Sequence, residues 1–195
     1  MREDPKLETA KISACIAANY GFRIVSVTFL PIGFDLSAFV YKVVSRDENA
    51  YFLKIRSGPV HEPSLLVPRA LIDRGVGNIH APLPTRSLSL WCSLEGYDGY
   101  TAVLYPFIQG DNAMLTGMRD EQWREFGSTL HAVHASELDV ALRGLLPVET
   151  FALPSATLVR RLLELVDVTA FEYPAAKSFA AFWRERAERI RSMLE

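Results

Sequence analysis

Lys54 is the first residue whose setting asks for a chemical explanation, because it interrupts the apolar run Tyr51-Phe52-Leu53 before Ile55. An ammonium beside a core must find an anion. The two-residue period of a strand puts Arg56 on the same side. Two readings compete: an edge strand with Lys54 on a solvated face, which is common for strand lysines, or a fixed cation that clamps phosphate groups. Glu62 follows the Gly58-Pro59 break and is placed to fold back toward Lys54. Its plainer reading is a solvated carboxylate at a helix start, favoured there by the helix dipole. Upstream, Gly33, Phe34, Asp35 and Ser37 follow Pro31 and match a GxGxxG phosphate loop poorly. The chain has no GxxxxGK[ST] run, which excludes a P-loop NTPase. His131 and His134 have a spacing that metal ligands also use. Lacking a Cys or carboxylate at ligand spacing, they read as packing or surface residues, and no metal ligand is expected.

These residues need elements to hold them. A helix is expected from Asp4-Pro5 to a stop at Gly21, with Leu7, Ile12, Ile16 and Tyr20 as a partial stripe. β-branched and aromatic runs at 22–30, 38–45 and 50–56, with polar or Gly/Pro breaks between them, read as a three-stranded antiparallel meander. A helix over 65–74 contains Pro68, so it is expected to begin near that proline or bend there. The runs 88–94 and 100–107 read as a hairpin across Glu95-Gly96-Tyr97-Asp98-Gly99. From Gly110 the pattern turns helical. One helix after Asp120 carries Trp123, Phe126, Leu130 and His134 on one face, and others are expected over 156–166 and 177–194.

With 195 residues, 49% hydrophobic and 23% charged, the composition is globular rather than disordered. A formal net charge of −2 gives no electrostatic reason to expect nucleic acid or an anionic membrane as partner. The N-terminal residues lack a signal-peptide profile, and apolar stretches such as 100–108 are too short to span a bilayer. Cytoplasmic localisation is therefore the expectation. Cys15 and Cys92 are expected as two buried thiols rather than as a disulfide.

Several collinear blocks together resemble the aminoglycoside phosphotransferase family, in particular its spectinomycin branch. They are AYFLKIRSG at 50–58, HEPSL at 61–65, APLPT at 81–85, LYPFI at 104–108, LTG at 115–117, EQWREFG at 121–127 and LHAVH at 130–134. The resemblance runs from about Asn19 to Ser136 and continues more weakly through the final helix. It implies an α+β, protein-kinase-like fold: a five-stranded antiparallel N-terminal lobe over 1–108 and a truncated helical lobe over 109–195. It also implies ATP as the cofactor, with Mg²⁺ carried by the nucleotide. Lys54 would clamp the phosphates, Glu62 would pair with it, and the loop of Gly33, Phe34, Asp35 and Ser37 would cover them. Tyr105, Pro106, Phe107 and Ile108 would form the hinge that seats adenine.

The family's chemistry also uses an HxDxxxxN-like loop and a further metal-binding Asp. None of His61, His80, His131 and His134 is followed two residues later by Asp, so no catalytic residue is assigned. The expectation is an N-terminal portion of an ATP-dependent kinase for a hydroxyl of an aminocyclitol-like small molecule, inactive alone. Rivals are a metabolite kinase of the same fold (homoserine, choline or sugar), a non-catalytic nucleotide- or partner-binding module, and a nonfunctional fragment. Self-association through an exposed helical face including Phe179, Phe182 and Trp183 is also expected.

Overall fold

Strand alternation in the first half of the chain builds a sheet with one apolar face and one chemically equipped face. The computed structural model describes residues 3–33 and 35–194. After α1 (Thr9–Tyr20), β1 (Ile24–Leu30), β2 (Ala38–Ser45) and β3 (Ala50–Ser57) form the meander. Then come α2 (Pro63–Asp73), β4 (Cys92–Ser93) and β5 (Tyr100–Pro106). The strand order is β1-β2-β3-β5-β4, and every neighbouring pair is antiparallel. The protein is α+β with the five-stranded antiparallel sheet that the sequence predicts. β3 lies in the middle of it, so the edge-strand reading of Lys54 does not hold.

Odd-numbered β3 residues face α1. Leu53 and Ile55 are fully buried there with Ile12, Ile16, Tyr41, Val43 and Leu104. Burial on this scale stabilises by about 1.5–3 kcal/mol for each large aliphatic side chain. The α1 helix stops where Gly21, at φ 81°, takes the left-handed conformation and donates its N–H to the Ala17 carbonyl at 3.1 Å. It starts at Thr9, later than expected. The Asp4 carboxylate instead accepts the Lys6 N–H at 2.9 Å, and Lys6 has a positive φ of 56°, a turn that holds the chain out of helix.

Three further boundaries differ from expectation. The α2 helix begins at Pro63, where the missing proline N–H has no helical partner to lose, and it runs through Pro68. Pro68 therefore gives up one interior hydrogen bond without setting the boundary. The strand expected at 88–94 shrinks to Cys92–Ser93, because Leu88 takes φ 65° and the Thr85 N–H turns back to the Ser89 carbonyl at 2.7 Å. The helix expected over 177–194 is two, α7 (Pro174–Glu185) and α8 (Ala187–Ser192), broken at Arg186.

The other helices are α3 (Ala113–Thr116), α4 (Asp120–Ala135), α5 (Val140–Gly144) and α6 (Ala156–Val168). α3 and α5 are too short for periodicity to reveal. Their side-chain caps are Asn112, which accepts from the Met114 N–H at 2.9 Å, and Asp139, which accepts from the Leu142 N–H at 2.8 Å. Trp123, Phe126 and Leu130 do share one face of α4, and that face is exposed.

The chain divides into two compact units, Met1–Leu146 and Pro147–Glu195. The sheet and α1 to α5 belong to the first. In the second, α6 and α7 pack together with Leu163, Val166 and Ala180 buried, while Phe179 and Phe182 are half exposed. Among the described residues no helix is long and apolar enough to cross a membrane.

Candidate functional site

The sheet face turned away from α1 holds the residues that the sequence singled out. Lys54 lies opposite Val40 on β2 and Val103 on β5, Phe52 opposite Lys42 and Tyr105, and Arg56 opposite Ala38 and Thr101. Residues directly opposite share a face, so register sets Lys42 beside Phe52 and Tyr105, and alternation along β3 adds Lys54 and Arg56 to the same face. Over part of this face Leu65 of α2 packs with Leu90 and Val103, which leaves a narrow cavity of about 40 Å³. Lys54, Arg56, His61, Ser64 and Tyr105 line it.

Lys54 has an ion-pair partner, and it is not the expected one. Its Nζ lies 2.9 Å from Oδ2 of Asp35, in the loop between β1 and β2. The other carboxylate oxygen accepts from the Ser37 Oγ at 2.6 Å and the Ser37 N–H at 3.1 Å. These two hydroxyl and lysine contacts hold the Asp35 carboxyl well below the usual carboxylate range. Ser37 in turn ties the loop to β3, its carbonyl accepting from the Ser57 N–H at 2.9 Å. Gly33 supplies a positive φ of 99° that other side chains rarely adopt, and so lets the loop turn. Phe34 lies outside the described residues.

Glu62 is exposed at the N-cap of α2 and has no ion pair or side-chain hydrogen bond among the described residues. It borders the hollow beside Leu66 and Trp91, whereas its neighbours His61 and Ser64 face the Lys54 cavity. The expected Lys54–Glu62 pair is therefore not made: Asp35 is delivered to the lysine by the loop, and Glu62 is left at a helix end where the dipole favours it. Arg56 has no carboxylate partner among the described residues, and its Nε is buried without a hydrogen bond.

The hinge candidates begin at the end of β5. Tyr105 is packed between Phe52 and His80, with ring centroids at 6.3 and 4.9 Å, and burial pushes its phenol above the ordinary range. The Pro106 carbonyl lies 2.8 Å from His80 Nε2. Lys42 sits 4.7 Å from the centroid of Phe107, a cation–π contact. Ile108 is 67% exposed, and its backbone has no hydrogen bond among the described residues. Pro106 pairs with Tyr51, three residues from Lys54 on β3, so hinge and lysine are separated by about 10 Å along the strand. His80 escaped the sequence reading because nothing local marks a loop histidine as the partner of a carbonyl 26 positions away.

No family model matches the chain, and no curated protein matches it. Solved structures do. A spectinomycin phosphotransferase in complex with ADP and spectinomycin superposes with a TM-score of 0.75 at 22% identity, over 98% of this chain and 56% of its own. The chain shares the kinase-like fold of that structure. An aminoglycoside phosphotransferase from Alicyclobacillus acidocaldarius matches at TM-score 0.61 and 16% identity, covering 98% of this chain and 53% of its own. An amicoumacin kinase in complex with AMP-PNP and Ca²⁺ matches at TM-score 0.52 and 16% identity, covering 85% and 55%. The chain thus spans about half the length of the phosphotransferases it resembles, with the kinase-like sheet among the parts it shares.

Proposed function

We propose that this chain is the nucleotide-holding part of an ATP-dependent phosphotransferase whose acceptor is a hydroxyl of an aminocyclitol-like small molecule. The observation that carries the reading is Lys54, a cation on the middle strand, beside Arg56 and about 10 Å along the sheet from Pro106, two residues before the exposed Ile108. ATP brings the phosphoryl group to be transferred. Lys54 is suited to its phosphates once Asp35 is displaced, and the orphaned Arg56 Nε leaves unspent cationic capacity on the same face. Ile108 offers both an N–H and a C=O to a base edge, and Tyr105, Phe107 and Phe52 give that region apolar surface. In this reading the loop of Gly33, Asp35 and Ser37 covers the phosphates. Among the described residues no three His, Cys, Asp or Glu side chains gather as a cation cage, so no residue is assigned to Mg²⁺.

Calorimetric titration of ATP into the parent and Lys54→Met tests this. A charge-assisted contact is worth about 1.5–3 kcal/mol, so the variant is expected to bind ATP at least tenfold more weakly. Equal affinity would place the phosphates elsewhere. The acceptor class is tested separately, by screening aminocyclitols against homoserine, choline and sugars for enhancement of ATP turnover in a protein that includes this chain.

A further inference from the structure

The chain's two cysteines lie 77 positions apart in sequence, and the fold brings their sulfurs together. Cys15 is on the sheet-facing side of α1 and Cys92 is in β4, both unpaired, with Sγ to Sγ at 3.4 Å. We propose that Cys15 and Cys92 form an oxidisable pair that closes to a disulfide on exposure to a hydroperoxide, stapling α1 to the β4 edge of the sheet.

The geometry favours closure over oxidation of either sulfur alone. A disulfide needs the sulfurs at about 2.05 Å, so they must approach by little more than an ångström. β4 is the two-residue edge strand, paired only with β5, so one partner sits on an element with little ladder to hold it back. Cys15 Sγ also has the Asn19 side-chain N–H donor at 3.8 Å, and the nearby Cys92 thiol lowers its pKa while Cys92's own is raised. Cys15, with the Asn19 N–H beside its sulfur to stabilise a thiolate, is the nucleophile and Cys92 the resolving thiol.

The reaction balances with hydrogen peroxide, the simplest hydroperoxide, as the oxidant. The Cys15 thiolate attacks one peroxide oxygen, the O–O bond breaks, and a sulfenic acid forms with release of hydroxide, which takes up the thiol proton as water. The Cys92 sulfur then attacks the Cys15 sulfur, forming the S–S bond and expelling the sulfenic oxygen as a second water with the Cys92 proton. Two thiols are oxidised by two electrons in all, and one peroxide is reduced to two waters. Relative exposures of 7% and 8% restrict access to a small oxidant. The ordinary alternative is two thiols packed as small apolar groups that stay inert until the protein unfolds.

The test treats the reduced, desalted protein with graded hydrogen peroxide under native conditions, then alkylates it and maps peptides without reduction. Oxidation of Met114, 87% exposed, reports that the dose was effective. The expected result is an intramolecular Cys15–Cys92 peptide at doses that leave the protein folded, with loss of two hydrogens per chain, reversal by a dithiol and a higher Tm in the oxidised form. Cys92→Ser should instead retain a trappable sulfenic acid on Cys15. Met114 oxidised with both cysteines still alkylatable, sulfinic acid without cross-link, or only intermolecular disulfides would each overturn the proposal. The parent protein alone decides these outcomes, so misfolding of the variant leaves the test intact.

Discussion

Asp35 and an incoming phosphate would compete for the same ammonium, and substituting Asp35 by Asn isolates that competition. The Asn side chain keeps a carbonyl oxygen where the Ser37 N–H and hydroxyl donate, so the loop turn can survive while the charge goes. Lys54 and Asp35 are each about one third exposed, at 32% and 39%. A partly solvated ion pair at that exposure is worth about 0.2–1 kcal/mol. With about 1.4 kcal/mol per tenfold, releasing Lys54 from it should tighten ATP binding by roughly 1.5- to 5-fold. Loss of carboxylate–phosphate repulsion acts in the same direction. The assay is calorimetric titration of ATP and adenosine into the parent, Asp35→Asn, Lys54→Met and the double variant. The gain should be confined to ATP, shrink with added salt and fall in the Lys54→Met background to what relieved repulsion alone supplies, since the ion-pair part acts through one contact. Unchanged or weaker ATP binding by a folded Asp35→Asn protein would refute the reasoning: Asp35 would then be organising the site, not occupying it.

The remaining predictions concern pH, turnover and association. Because folding depresses the Asp35 carboxyl, its stabilising contribution should be complete above the ordinary carboxylate value of about 4 and fade as pH falls below it. The Tm gap between the parent and Asp35→Asn should therefore be flat above about pH 5 and close in acid; a constant gap down to pH 2 would count against the pair. Residues 1–195 alone should transfer no label from radioactive ATP to spectinomycin at saturating Mg-ATP, since phosphate clamping binds ground and transition states much alike. Robust turnover would point to an Asp such as Asp111 or Asp120 acting on the acceptor. Exposure of Trp123 and Phe126 on α4, at 57% and 55%, and of Phe179 and Phe182 on α7 predicts concentration-dependent association in ultracentrifugation. A single monomeric species across a hundredfold concentration range would rule that out.

Much of this protein is legible in its sequence because the signals are local. β-branched runs with polar breaks place β2 within its observed bounds, Ala38–Ser45, and alternation correctly puts Lys54 and Arg56 on one face opposite Leu53 and Ile55. The helical stripe of Ile12, Ile16 and Tyr20 likewise identifies the buried face of α1. Tertiary structure decided what periodicity cannot carry. Lys54 took Asp35, 19 positions upstream, over Glu62, eight positions downstream, because the choice depends on where a loop and a helix end are docked. β3 became the central strand only when β5 paired with its free edge, and that pairing joins residues about fifty positions apart. The same sheet assembly, with β4 on the outer edge of β5, set Cys92 against Cys15. A strand's period specifies which side chains share a face, but a partner across the fold is chosen by three-dimensional proximity, and one chain segment holds no record of it.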